Sequence, residues 1–96
     1  MTVYVFGQLT IHDREAYGRY QARFMDVLKR HGGRLLAADD APVVYEGAWD
    51  RDKLVLLSFA DEAAFRAWAD SPDYQAIAED RKAGADTVVV MVQGLA

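Results

Sequence analysis

Five apolar residues stand in a row near the end of this chain, Val88-Val89-Val90-Met91-Val92, within the stretch Thr87 to Gln93 that holds neither charge nor proline. β-Branched residues at this density favour a strand, and alternation then places apolar side chains on both of its faces. Such a strand is stable where both faces are covered. A chain of 96 residues makes one domain, and folding at that size hides roughly 60 to 65% of the surface of the unfolded chain. Two modest helices cover one face of a sheet, so the other face calls for a second copy of the chain.

The opening stretch reads the same way. In Val3-Tyr4-Val5-Phe6-Gly7-Gln8-Leu9 both alternating sets, Val3/Val5/Leu9 and Tyr4/Phe6, are apolar, which predicts a central strand with two covered faces. Asp13 is placed to cap a helix whose inward stripe is Tyr17, Tyr20, Phe24, Val27 and Leu28, with Arg14, Arg19, Arg23, Asp26 and Arg30 on the wet side. The helix should end at His31-Gly32-Gly33, where a glycine can enter the left-handed region. Arg34 to Ala38 is short and extended, and Asp39-Asp40-Ala41-Pro42 marks a break or bulge. Val43 to Gly47 and Lys53 to Phe59 flank the polar loop Ala48 to Asp52, which predicts a hairpin. Parity would then set Glu46 and Ser58 on one face with Val44, Leu54 and Leu56.

Asp61 caps a second helix with Ala64, Phe65, Trp68 and Ala69 inward. Ser71-Pro72 opens a third carrying Tyr74, Ile77, Ala78 and Arg81 on one stripe, and Gly84 ends it. Strand, helix, strand pair, split helix, strand is the ferredoxin-like α+β order, βαββαβ with a split second helix. In it the last strand lies at an edge, which native proteins protect with charge or proline unless something covers it. No repeat or linker divides the chain.

Composition narrows the function classes. With 52% hydrophobic and 27% charged residues the chain lies far from the disordered regime. Eleven Lys and Arg against fifteen Asp and Glu, net charge −4, with no basic cluster among aromatics, argue against a nucleic-acid partner. Cysteine is absent and the two histidines, His12 and His31, are far apart, so no metal site of His/Cys type is expected. Nucleophile elbows, glycine-rich phosphate loops and H-E-x-x-H helices are also missing, and no cofactor is expected. No basic leader and no apolar run of about 18 residues is seen, so no membrane partner is expected and the reading is a cytoplasmic protein.

Asp13-Arg14-Glu15-Ala16-Tyr17-Gly18-Arg19-Tyr20, the Gly32-Gly33-Arg34 step, Glu46-Gly47, Phe59 with Ala63 and Trp68, and Ser71-Pro72-Asp73-Tyr74-Gln75 followed by Arg81 resemble the domain-of-unknown-function 1330 family of the dimeric α/β-barrel superfamily. The resemblance spans nearly the whole chain and implies a homodimer in which two ferredoxin-like sheets pack face to face. Other branches of that superfamily include cofactor-independent monooxygenases, dehydratase-like and isomerase-like enzymes, haem-degrading proteins and ligand-sensing domains, so the fold does not choose a chemistry.

Candidate site residues follow from residue type and position. Glu46, in a strand among apolar neighbours, is a candidate catalytic proton acceptor, or else a rim carboxylate or the ion-pair partner of Arg34 or Arg81. His12, between strand and helix, is a second candidate catalytic group, or an exposed residue ahead of the cap. Arg81 on an apolar stripe suits a bound organic anion. Tyr17, Tyr20, Trp68 and Tyr74 combine apolar bodies with polar tips and are candidates for the lining of a small-molecule pocket, or for core packing. Trp49 in the loop is a candidate dimer contact. Two functions remain open: a small-molecule-binding homodimer, with acid–base enzymes that need no cofactor as one form of it, and a non-catalytic regulatory or assembly module.

Overall fold

Both backbone edges of β1 (Val3–Ile11) are occupied, which makes it a central strand as its two-sided apolarity predicts. The computed structural model describes residues 1–95. After β1 come α1 (Arg14–Arg30), β2 (Arg34–Asp39), β3 (Lys53–Phe59), α2 (Glu62–Ala69), α3 (Pro72–Gly84) and β4 (Ala85–Gln93). The strands form one antiparallel sheet in the order β2-β3-β1-β4, so β4 lies at an edge, and the fold is ferredoxin-like with a split second helix.

Each helix starts at the expected cap. Asp13 Oδ1 accepts from the backbone N–H of Glu15 and Ala16, Asp61 Oδ1 from Ala64, and Ser71 Oγ from Tyr74. These satisfy donors that a helix start would otherwise leave orphaned. α1 ends in a Schellman turn: Gly32 enters the left-handed region at φ 73°, and the N–H groups of Gly33 and Gly32 return to Leu28 and Lys29.

Register sorts the sheet's side chains. Val5, Leu9, Val55, Leu57, Thr87 and Met91 share the face beneath the helices, where Val3, Val5, Leu9, Leu28 and Phe59 form the buried heart of the core. Tyr4, Phe6, Leu54, Leu56, Val88, Val90 and Val92 share the opposite face, on which no helix lies. Val88, Val90 and Val92 are 40 to 43% exposed there.

The expected hairpin is corrected. Val43 to Gly47 is not a strand: the first arm is β2, pairing with β3 from Arg34↔Ser58 to Asp39↔Leu54, and the chain from Asp40 to Asp52 is a long connection. β3 already has β1 on one edge and β2 on the other, so a further strand has no edge of β3 to join. Strand propensity without a free partner leaves Val43 and Tyr45 90% and 97% exposed. The bulge falls earlier than expected, between Leu35 and Ala37. Ser58, Leu54 and Leu56 do share a face, but Glu46 does not join them, since it lies in an exposed bend.

Gly84 joins the two halves. Its carbonyl accepts from both His12 and Asp13 N–H at 2.9 and 3.0 Å, and a Cβ here would stand 2.6 Å from Tyr17 N and 2.7 Å from Asp13 O. Both neighbours are backbone and cannot swing aside. Gly84→Ala is therefore expected to destabilise by about 1 to 3 kcal/mol, the usual scale for forced overpacking, read as a lower urea midpoint. An unchanged midpoint would show the junction to be looser than described.

Candidate functional site

α1 runs back across the sheet from Asp13, so its stripe meets the sheet in sequence: Tyr17 above the Leu9–Lys53 level, Tyr20 and Phe24 further along, Leu28 beside Phe59. α3 lies beside α1 and runs the other way, from Tyr74 to Arg81. Tyr74 meets Trp68 with ring centroids 4.1 Å apart, and the Tyr20 and Tyr74 hydroxyls bond at 2.9 Å. Between this layer and the sheet lies a cavity of about 380 Å³. That size is within the range of roughly 300 to 1,000 Å³ usual for small-molecule sites.

The lining is apolar in its body, with Val5, Leu57, Val55 and Phe24, and polar at a few points. Four of those points are Lys53, Trp68, Arg81 and Thr87. Lys53 is 4% exposed, holds Asp40 Oδ1 at 3.2 Å, and stands 5.4 Å from the centre of the Tyr17 ring. Its partner Asp40 is largely in solvent, so one screened carboxylate compensates a buried ammonium. Trp68 Nε1, Arg81 Nε and Thr87 Oγ1 are buried without a hydrogen-bond partner in the protein. Among the described residues these three atoms are the complete set of buried side-chain polar atoms lacking a partner, and all three residues line this one cavity. A buried donor without a partner costs about 1 to 3 kcal/mol. Three in one place concentrate hydrogen-bonding capacity around one space.

Tyr17, Tyr20, Trp68, Tyr74 and Arg81 are thus brought together around one space. Arg81 makes no ion pair among the described residues, and the expected pairing with Glu46 or of Glu46 with Arg34 does not occur. Glu46 and His12 do not line the cavity. His12 is half exposed and sits 3.9 Å from Asp86 Oδ1. Trp49 folds back on its own chain, where its Nε1 donates to Gln8 Oε1 at 2.8 Å. No group of three or more His, Asp or Glu side chains gathers as a metal site among the described residues.

Lys53 and Thr87 went unrecognised from the sequence, although the signal was present. Lys53 has the parity of Val55, Leu57 and Phe59, and Thr87 that of Val89 and Met91, which puts both on the covered face. With Leu9 they form one row across three strands, Lys53–Leu9–Thr87.

Burial, followed by the negative charge of Asp40, raises the Tyr17 pKa from 10.0 to about 12, and burial raises that of Tyr20 as well. Both phenols are neutral donors at physiological pH. A group that holds its proton more tightly when folded gives stability that is complete below the unfolded value and is lost as pH rises through the folded one. Folding stability should therefore fall between pH 10 and about 12, and Tyr17→Phe should flatten that alkaline limb in denaturation profiles. An identical limb in the variant would exclude Tyr17 as its source.

No curated protein matches the chain. Among solved structures it is similar to a Rhodopseudomonas palustris protein of unknown function, with TM-score 0.83, 18% identity, and coverage of 99% of this chain and 83% of that one. It is similar to a dimeric ferredoxin-like protein of unknown function from Jannaschia sp., with TM-score 0.73, 22% identity, and coverage of 98% and 100%. It is also similar to SnoaB, a cofactor-independent oxygenase from Streptomyces nogalater, with TM-score 0.72, 17% identity, and coverage of 99% and 94%. At these identities the likeness is one of fold. The family model described as Domain of unknown function (DUF1330) matches residues 2–95, and the chain belongs to that family.

Proposed function

We propose that the protein is a homodimer that binds a small organic anion, an aromatic acid or a phenolate or enolate, in the cavity between sheet and helices. The observation that carries this reading is the concentration of unpartnered buried donors, Trp68 Nε1, Arg81 Nε and Thr87 Oγ1, around one space that also holds the Lys53 ammonium. Every one of them offers hydrogen or positive charge. A ligand that fits brings acceptor oxygens and negative charge within an apolar frame. The same donors favour any reaction in which negative charge develops on the ligand, because groups fixed in a dry site stabilise charge without reorganising. Enolate or phenolate chemistry without a cofactor is the enzymatic form of this reading, and Tyr17 and Lys53 are its proton carriers in place of Glu46 and His12. The oxygenase named among the similar folds is compatible with it. A purely assembling module would leave the buried donors without a role.

Thermal-shift measurements with aromatic carboxylates test the reading. A ligand at about 100 times its dissociation constant stabilises by about 2.7 kcal/mol, which raises the midpoint by several degrees in a domain of this size. Arg81→Met keeps the stem and removes the charge. It is expected to fold with near-normal stability and to lose about 1.5 to 3 kcal/mol of affinity. A flat response of the unaltered protein across the series would overturn the anion site.

The dimer half of the proposal rests on the helix-free sheet face, where Phe6 lies level with Leu56 and Val90, and Tyr4 with Val92. The dimeric neighbour of the same fold supports it. Burying each such side chain contributes about 1.5 to 3 kcal/mol, so several per subunit outweigh an association cost of ~4 to 15 kcal/mol. Val90→Asp puts a charge in the middle of that face, and the expected result is aggregate or unfolded chain in place of a dimer in light scattering. A folded monomer of the unaltered protein at micromolar concentration would sink the claim.

A further inference from the structure

The donors of the cavity are arranged at two levels, and this deepens the reading just given, on which it rests. At one level Lys53 and Thr87 flank Leu9 on neighbouring strands, with the Tyr17 ring beside Lys53. Arg81 belongs to this end: it lies on the last turn of α3, close to Gly84, which meets the backbone of Tyr17. At the other level Trp68 packs at an angle against Tyr74, Phe59 and Phe24 with ring centroids 4.1, 5.3 and 6.2 Å away. Tyr74 and Arg81 are two turns of α3 apart, roughly 10 Å along the helix axis. The wall between is apolar, made by Val5, Val55 and Leu57.

The two ends differ in charge. The first holds two cations and a hydroxyl. The second holds a neutral indole N–H, buried and without a partner, in a cage of aromatic rings. The Tyr20–Tyr74 pair adjoins this second end, and since one hydroxyl donates to the other at 2.9 Å, one O–H proton is left over for a further acceptor. We infer that the ligand is an elongated, flat acid with an anionic oxygen at the Lys53–Arg81–Thr87 end and a neutral hydrogen-bond acceptor, a ketone or quinone-type carbonyl, at the Trp68 end. An acid with a plain hydrocarbon tail fills the same volume but leaves the indole N–H unmet. A neutral ketone satisfies the indole but leaves Arg81 without a counter-charge and Lys53 with Asp40 alone.

Para-benzoylbenzoate and para-benzylbenzoate form a probe pair that differs in one respect, a ketone against a methylene, with one para-linked ring between it and the carboxylate. Isothermal titration of the unaltered protein should show the ketone binding roughly tenfold tighter, the scale of one net hydrogen bond in a buried site. In nitrogen–proton spectra the Trp68 indole N–H should move downfield with the ketone and stay with the methylene compound. Trp49→Phe removes the other indole signal and makes the assignment without touching the cavity. Equal affinity for the two acids would overturn the two-ended ligand while leaving the anion site standing. A ketone preference with an unmoved Trp68 signal would overturn it too, because the carbonyl would then be read elsewhere. Failure of both acids to bind would remove the anion site and this inference together.

Discussion

The Gly84 carbonyl is the contact on which the site depends. By accepting from His12 and Asp13 together it ties the turn that launches α1 to the turn that launches β4. Because both helices begin or end at that point, their stripes are in register for their whole shared length, and Tyr17, Tyr20, Tyr74 and Arg81 arrive at one cavity. Only glycine allows the approach, since a Cβ would meet backbone atoms of α1. The core at the far end is closed by different means, with Leu28 and Phe59 packed around the Gly33 turn. The cavity is what remains between two fixed ends.

A small domain has little stability to spare, roughly 5 to 15 kcal/mol in all. Setting three polar atoms that the protein itself does not pair, and a lysine with one solvent-exposed counter-ion, in its interior is a departure from packing for stability. A core built for stability alone would place leucine at position 53 or valine at position 87 of this row, as it places Leu9 between them. The polar choices are local departures from the pattern of the sheet, and departures of this kind gather at sites of binding or chemistry. Tyr20 and Tyr74 illustrate the opposite treatment. Their hydroxyls are buried but bonded to each other, so each has a partner within the protein and the pair adds rigidity.

Most of the architecture was legible in the sequence because it is governed by local rules. Asp13, Asp61 and Ser71 announced their helices, Gly32 ended one, and alternation placed the central strand and the exposed edge strand. Tyr17, Tyr20, Trp68, Tyr74 and Arg81 were legible as candidates through helical spacing, which defines a face without naming what the face meets. The strand placement of Glu46 failed for a non-local reason. Val43 to Gly47 has the composition of a strand, but whether it pairs depends on whether β3 has a vacant edge, and β2 fills it. Lys53 was placed correctly at the start of a strand, but its face was not read. Its neighbours in the strand carried the better information.

Alternation also binds the two surfaces of the sheet to each other. Leu9, Lys53 and Thr87 face the cavity, and the next residues along, Gln8, Leu54 and Val88, face the helix-free side. Gln8 holds the Trp49 indole, and Trp49 belongs to the same long connection as Asp40, the counter-ion of Lys53. That connection is therefore tethered on one side of the sheet through Gln8 and on the other through Lys53. Asp52 adds a third tether, its carboxylate accepting from Ile11 N–H and its own N–H donating to Leu9 O. Alternation along three strands thus sets the counter-ion of the cavity lysine and the tether on the helix-free face in one connection.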